Sequence, residues 1–197
     1  MGKGDETRQA ILDTATRLSR SAGLGGLTIG SLAEQTQLSK SGLFAHFRSK
    51  ESLQVAVVEN AIAQFLDLVV RPALAAPRGE RRLRELFERW LAWADSSEGG
   101  CPFVAATTEF DDQQGPVRDL LARYQRDLLD SIGLIFETGI TEGDFRADVD
   151  PAQFAQEFYG ILLAYHYISR LLRSPDAQPR ARRALETRIA AARVPAA

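Results

Sequence analysis

Cysteine is all but missing from this 197-residue sequence: Cys101 stands alone, which excludes an intrachain disulfide framework and a cysteine-cage zinc site. Only two histidines, His46 and His166, accompany it, too few for a multi-histidine metal centre. No metal or cofactor is expected. Apolar runs stop short of the roughly 20 residues that span a bilayer, and the opening MGKGDETRQA lacks the apolar stretch of a secretory leader. The expectation is a cytoplasmic chain with no membrane partner. Strand-like alternation, low-complexity segments and internal repeats are absent too. So are a glycine-rich phosphate loop, a G-x-S-x-G elbow and a metal-spaced His/Cys cluster, so no enzyme activity is expected. The carboxylates Asp111, Asp112, Asp144, Asp148 and Asp150 fall near helix ends, where capping or solvation accounts for them.

What remains is an ordinary globular composition, 45% hydrophobic and 25% charged, with a net charge of −2. A chain of this length buries about 70% of its unfolded surface and needs no covalent staples. Charge is uneven: residues 1–57 lean basic and the remainder acidic, a weak sign of nucleic-acid contact at one end.

Almost every periodic stretch reads as helix, so the class is all-α. Ile11, Ala15, Leu18 and Ala22 share one face of a first helix that Gly23 stops, with Gly25-Gly26 as loop. Thr28, Ser39 and Ser49 are N-caps for three further helices. The last of these carries Leu53, Val57, Ala61, Phe65 and Leu68 on one stripe and ends near Pro72. Further helices are expected over Glu80 to Asp95, around Phe103 to Phe110, over Pro116 to Glu142, from Asp150 to about Arg173, and over roughly Gln178 to Arg193. Ser96-Ser97-Glu98-Gly99-Gly100 breaks the chain between two of them. Asp150 with Gln153 suggests a capping box.

Thr28 to Phe47, TIGSLAEQTQLSKSGLFAHF, has the pattern of two short helices at a tight turn. Ala33 is small enough to let them approach, and Ile29, Leu32, Leu38 and Leu43 can fill the angle between them. Lys40, Ser41, Ala45 and His46 are left facing outward. In a helix-turn-helix such a second helix enters the DNA major groove. The pattern alone leaves a plain helical hairpin equally open.

The stretch from Thr7 to about Val57, and above all SKSGLFAHFRSKESL, resembles the TetR family of bacterial transcriptional regulators. The resemblance implies that Thr28 and Lys50 contact phosphates. It places Ser39, Lys40, Ser41, Gly42, Phe44 and Ala45 along the groove-entering helix, with His46 at its end. Three positions depart from the family pattern. Phe44 lacks the usual phenolic hydroxyl, Ala45 offers only a methyl, suited for example to a thymine methyl, and Gln37 occupies a turn position where glycine is frequent. Each residue also has a plainer role: Phe44 and Phe47 read as core, His46 as a packing group, and Lys50 as a solvated lysine.

The helix carrying Phe154, Phe158, Ile161, Tyr165, Ile168 and Leu172 is apolar nearly all round, as a helix buried on both sides must be. With the preceding helix it predicts a four-helix homodimer bundle through Leu128, Ile132, Ile135, Phe158, Tyr165, Ile168 and Leu172. Family resemblance implies the same dimer, and a small-molecule pocket in the body. Candidate pocket residues are Phe65, Trp90, Trp93, Cys101, Phe103, Phe110, Tyr124, Tyr159 and His166, with Glu109 a further polar anchor. Cys101 reads as a buried inert thiol, with a redox sensor as the alternative. The expected organisation is a DNA-binding domain over 1–52 and a ligand-binding and dimerisation domain over 53–197. The expected function is a repressor released from a near-palindromic operator by a small hydrophobic effector. The rival readings are a helical carrier that does not bind DNA and an all-α enzyme using the body cavity.

Overall fold

Caps and stops in the sequence set the helix boundaries of the computed structural model, which describes residues 3–95 and 100–195. In chain order the helices are α1 (Lys3–Ala22), α2 (Ile29–Thr36), α3 (Lys40–His46), α4 (Lys50–Phe65), α5 (Arg71–Leu74), α6 (Glu80–Asp95), α7 (Pro102–Phe110), α8 (Pro116–Thr141), α9 (Pro151–Arg170) and α10 (Ala177–Ala192). No strand occurs among the described residues; a single bridge pairs Phe145 with Arg193. Asp5 and Glu6 complement the dipole at the start of α1, and Gly23 ends it at φ 76°. Ser49 and Ser52 cap α4 reciprocally, each backbone N–H donating to the other's hydroxyl at 3.0 Å. Asp150 caps α9 through Ala152 N, but Gln153 turns away and donates to Glu157, so the expected capping box is half formed. The break at 96–99 lies outside the described residues.

The stripe on α4 does not run straight to Pro72. A π-helical turn over Leu66–Val70 separates α4 from α5. Proline has no N–H to donate four residues back, and its ring crowds that carbonyl, so a wide turn before Pro72 relieves the conflict. The wider turn rotates the stripe: Val69 is buried in place of the expected Leu68, which faces solvent. Lys50–Leu74 is, against expectation, long and apolar enough to cross a membrane by length and composition. Half of its most apolar stretch is buried within the chain, as in a core helix.

Packing divides the chain into two units, Met1–Phe65 with Ser96–Arg123, and Leu66–Asp95 with Tyr124–Ala197. The sequence division after residue 52 falls inside α4 and does not follow this packing. In the first unit, Leu53, Val57 and Ala61 of α4 are buried with Ile11, Leu12 and Ala15 of α1. The buried face of α1 is not purely apolar. Thr16 and Ser19 lie inside, whereas Leu18 is half-buried and Ala22 exposed. Tertiary hydrogen bonds explain the exchange. Asn60 Nδ2 donates to Thr16 Oγ1 at 3.0 Å and to Asp13 at 3.1 Å, and Gln9 donates to Asn60 Oδ1 at 2.8 Å. Satisfied in this way, buried polar groups fix the register of two helices at little cost.

The second unit is centred on stacked phenylalanines. Phe136 packs on Phe145 and Phe154 with ring centroids at 4.6 and 4.1 Å, and Phe87 meets Phe158 edge-on at 5.5 Å. Gly139 makes room for this stack, since a Cβ there would fall 2.5 Å from the Phe145 ring. Ion pairs tie α10 to α6. Arg193 donates to both Glu80 oxygens, Arg84 bonds Glu80 at 2.7 Å, and Arg84 also pairs with Glu186. Hydrogen bonds from Arg193, then Arg84, hold the Glu80 carboxyl at about 2 instead of 4.5, against the burial that pushes it up. A depressed carboxylate stabilises the fold fully above its unfolded value, and that contribution disappears as pH falls through 2. Glu80→Gln is therefore expected to lower the melting temperature most at neutral pH. The gap from the parent protein should close between pH 4.5 and pH 2, as melts of both proteins across that range would show.

Candidate nucleic-acid interface

The two short helices after Gly26 are held by their own hydroxyls. Thr28 Oγ1 accepts from Ser31 N at 3.0 Å while Ser31 Oγ accepts from Thr28 N at 3.2 Å, a capping box that opens α2. Ser39 Oγ accepts from Gly42 N at 3.0 Å and opens α3. Between them Gln37 takes the left-handed conformation at φ 57°, the geometry that explains the preference for glycine at this turn. Leu32 and Leu43 are buried in the angle between the helices, with Ile29, Ala33 and Leu38 half-buried around them. This is a helix-turn-helix.

Burial then separates the two sides of α3. Leu43 and the following Phe47 point into the unit, where Arg8 lies 5.4 Å over the Phe47 ring. Lys40, Ser41, Phe44 and Ala45 are exposed; spaced i, i+1, i+4 and i+5, they form one outer face. Ser39 is exposed beside them, its hydroxyl 3.1 Å from that of Ser41, and Gly42 and His46 are half-buried at the edges. The core reading of Phe44 is thereby corrected. It is 51% exposed, because α3 offers only one buried face and Leu43 and Phe47 fill it.

The loop that leads into α2 is clamped by side chains that the sequence pattern did not mark for this task. Glu109, on α7, accepts from Leu24 N at 2.9 Å and Gly25 N at 2.5 Å. Gln54 Nε2 donates to Leu24 O at 3.0 Å, and Lys50 Nζ to Gly25 O at 2.6 Å. Lys50 is thus tied to the loop as well as exposed. A Cβ at Gly25 would fall 2.0 Å from Glu109 Oε1, so a larger residue there would have to displace the carboxylate. Glu109 was expected only as a pocket anchor; its spacing from Gly25 in sequence hides the pairing.

The nine expected pocket residues are divided between the units. Phe65, Cys101, Phe103 and Phe110 belong to the first, where Phe65 and Phe103 meet edge-on at 5.8 Å. The void beside Phe103 is about 10 Å³, room for roughly one water. Cys101 is buried, and Arg20 of α1 lies within electrostatic reach, a neighbour invisible in the local sequence. Trp90, Trp93, Tyr124, Tyr159 and His166 belong to the second, with Trp90 and Tyr159 rings 5.8 Å apart. Burial, then the Arg170 charge, lowers the pKa of His166 below its usual value.

The expected dimer face needs correction. Leu128, Ile132, Ile135, Phe158 and Tyr165 are buried within their own chain, so a second chain cannot cover them. Tyr165 instead donates to Asp95, which also accepts from Gln178 at 2.9 Å. Ile168 is half-buried and Leu172 exposed, and the apolar side chains left bare on α8, on α9 and just beyond are Leu134, Leu163, Tyr167 and Leu171. An open groove of about 500 Å³ between α8 and α9 borders Leu134, Gly133 and Ala155.

Comparison with known proteins matches the chain twice. Residues 11–57 match "Bacterial regulatory proteins, tetR family", and residues 79–185, more than half of the chain, match "Tetracyclin repressor-like, C-terminal domain". The HTH-type transcriptional repressor NemR of Escherichia coli is 24% identical over 173 residues, 86% of each chain. NemR solved in its reduced form superposes with a TM-score of 0.82 at 22% identity, covering 98% of this chain and 100% of that one. A TetR-family regulator from Cytophaga hutchinsonii reaches a TM-score of 0.90 at 23% identity, covering 100% and 99%. AibR in complex with isovaleryl coenzyme A and operator DNA reaches 0.72 at 21%, covering 96% and 100%. With a helix-turn-helix at its N-terminus and both halves matched, the chain belongs to the TetR family of bacterial transcriptional regulators.

Proposed function

We propose that this regulator is a cytoplasmic homodimeric repressor that leaves its operator when a small hydrophobic effector binds. The observation that carries the reading is the outer face of α3, where Lys40 and Ser41 are exposed beside Ser39 while the opposite side holds the unit together. Lysine and serine suit phosphate oxygens and base edges. Thr28 opens α2 and Lys50 opens α4; both hydroxyl and ammonium already bond within the unit, so their phosphate contacts add to a structural role. His46 closes the helix. A near-palindromic operator with half-sites about one helical turn apart fits a two-fold dimer, in which Leu134, Leu163, Tyr167, Leu171 and Leu172 supply the apolar contact.

Support for the effector comes from Trp90, Tyr159 and His166 in the second unit. Neutral imidazole and indole and phenol groups offer the few polar anchors that an apolar site uses. NemR carries the name of a repressor, and AibR was solved with both a coenzyme A thioester and operator DNA. Release is a population shift, bounded by the effector's differential affinity for the two conformers. α4 carries the change, since it starts beside α3 and continues through the π turn.

Footprinting on DNA flanking the protein's own coding region, with and without candidate effectors, tests the reading. Lys40→Ala is expected to weaken binding and to flatten the log–log salt dependence by about 0.9, one phosphate contact. An unchanged slope removes Lys40 from the contact set.

A further inference from the structure

We propose that Phe44 and Ala45 read the operator by its 5-methyl groups, so that the half-site is selected for methyl-bearing pyrimidines where these two side chains meet it. The proposal rests on the DNA-reading assignment of α3. Of the four side chains on the outer face of this helix, two carry no polar atom, and Phe44 leaves half its surface in water. Neither can donate or accept a hydrogen bond, so neither can distinguish the N7, O6, N6 and N4 groups of the major groove. The one apolar feature on a base edge there is the thymine C5-methyl. The arginine that covers a ring here, Arg8, lies over Phe47 on the inner side, and Leu43 fills the core, while Phe44 keeps half its surface exposed. Polar contacts by Ser39, Lys40 and Ser41 set affinity and register at the start of the helix, and the apolar pair one turn later sets base preference.

The test is in vitro selection of duplexes from a randomised library, followed by resynthesis of an enriched duplex with deoxyuridine at each thymine in turn. Deoxyuridine removes the methyl and leaves pairing unchanged. Affinity is expected to fall about fourfold for each methyl that is buried against Phe44 or Ala45. Restoring the group as 5-methylcytosine, paired with guanine, should recover part of the loss. Phe44→Ala should bind the parent duplex more weakly, lose the thymine–deoxyuridine difference at its own position and keep the salt slope. Phe44→Leu should retain much of that difference. If enriched duplexes bind equally well with deoxyuridine throughout, the methyl reading is overturned while DNA recognition stands. It is equally overturned if Phe44→Ala discriminates as the parent does. Enrichment of no duplex at all overturns both the methyl reading and the operator assignment.

Discussion

Glu109→Ala is expected to loosen the reading head and cost the first unit about 2–3 kcal/mol, since two backbone N–H groups lose a charged acceptor. Leu24 N and Gly25 N both donate to this carboxylate, and Leu24 is buried where water reaches it poorly. Thermal melts read the stability, and operator affinity should fall with it, because this loop sets where α2 begins. Glu109→Gln keeps one oxygen but turns an amide N–H toward one of the two donors, so it should fall between the parent and Glu109→Ala. Gly25→Ala reaches the same defect from the other side, because its Cβ expels the carboxylate. The double substitution supplies the decisive outcome. Once the carboxylate is gone the new methyl has room, so Gly25→Ala should add little to Glu109→Ala. The two losses should fall well short of additive. Full additivity would mean that the clamp is not the reason for glycine at this position.

Phe154→Ala should produce the largest loss of stability, about 3–5 kcal/mol, by emptying the centre of the second unit. The ring is wholly buried, stacks on Phe136 at 4.1 Å and lies beneath the Arg188 guanidinium at 5.1 Å. Its removal deletes transfer free energy and leaves a cavity bounded by rings that cannot collapse without breaking their own stacking. Urea titration followed by aromatic fluorescence should show a lower midpoint. Phe154→Leu, which keeps most of the volume, should recover a good part of it. Near-equal midpoints for the parent and Phe154→Ala would show that the stack contributes little.

The candidate DNA face was legible because its signals are local. Thr28, Ser39 and Ser49 each bond a backbone N–H three residues on, so the sequence spacing is itself the geometry. Which sector of α9 stays exposed was not legible, for the opposite reason. Periodicity reports that α9 is apolar nearly all round, but not which sector is spent within the chain; Phe158 and Tyr165 turn inward while Tyr167 and Leu171 remain outside. Phe44 in α3 and Phe47 just after it show the same limit, since identical side chains three residues apart take opposite sides. The π turn at Leu66–Val70 was foreshadowed by Pro72, yet the rotation it gives the stripe depends on how the helix widens.

By itself the sequence determined the all-α class, the order of the main helices and the pair of short helices at a tight turn, because caps, stops and helical period act over a few residues. Tertiary structure alone decided that Glu109 grips the loop at Gly25, that Asn60 satisfies a polar seam on α1, and which apolar side chains stay exposed. Those choices depend on groups far apart in the chain meeting within hydrogen-bonding or van der Waals range, and residue spacing carries no record of such meetings.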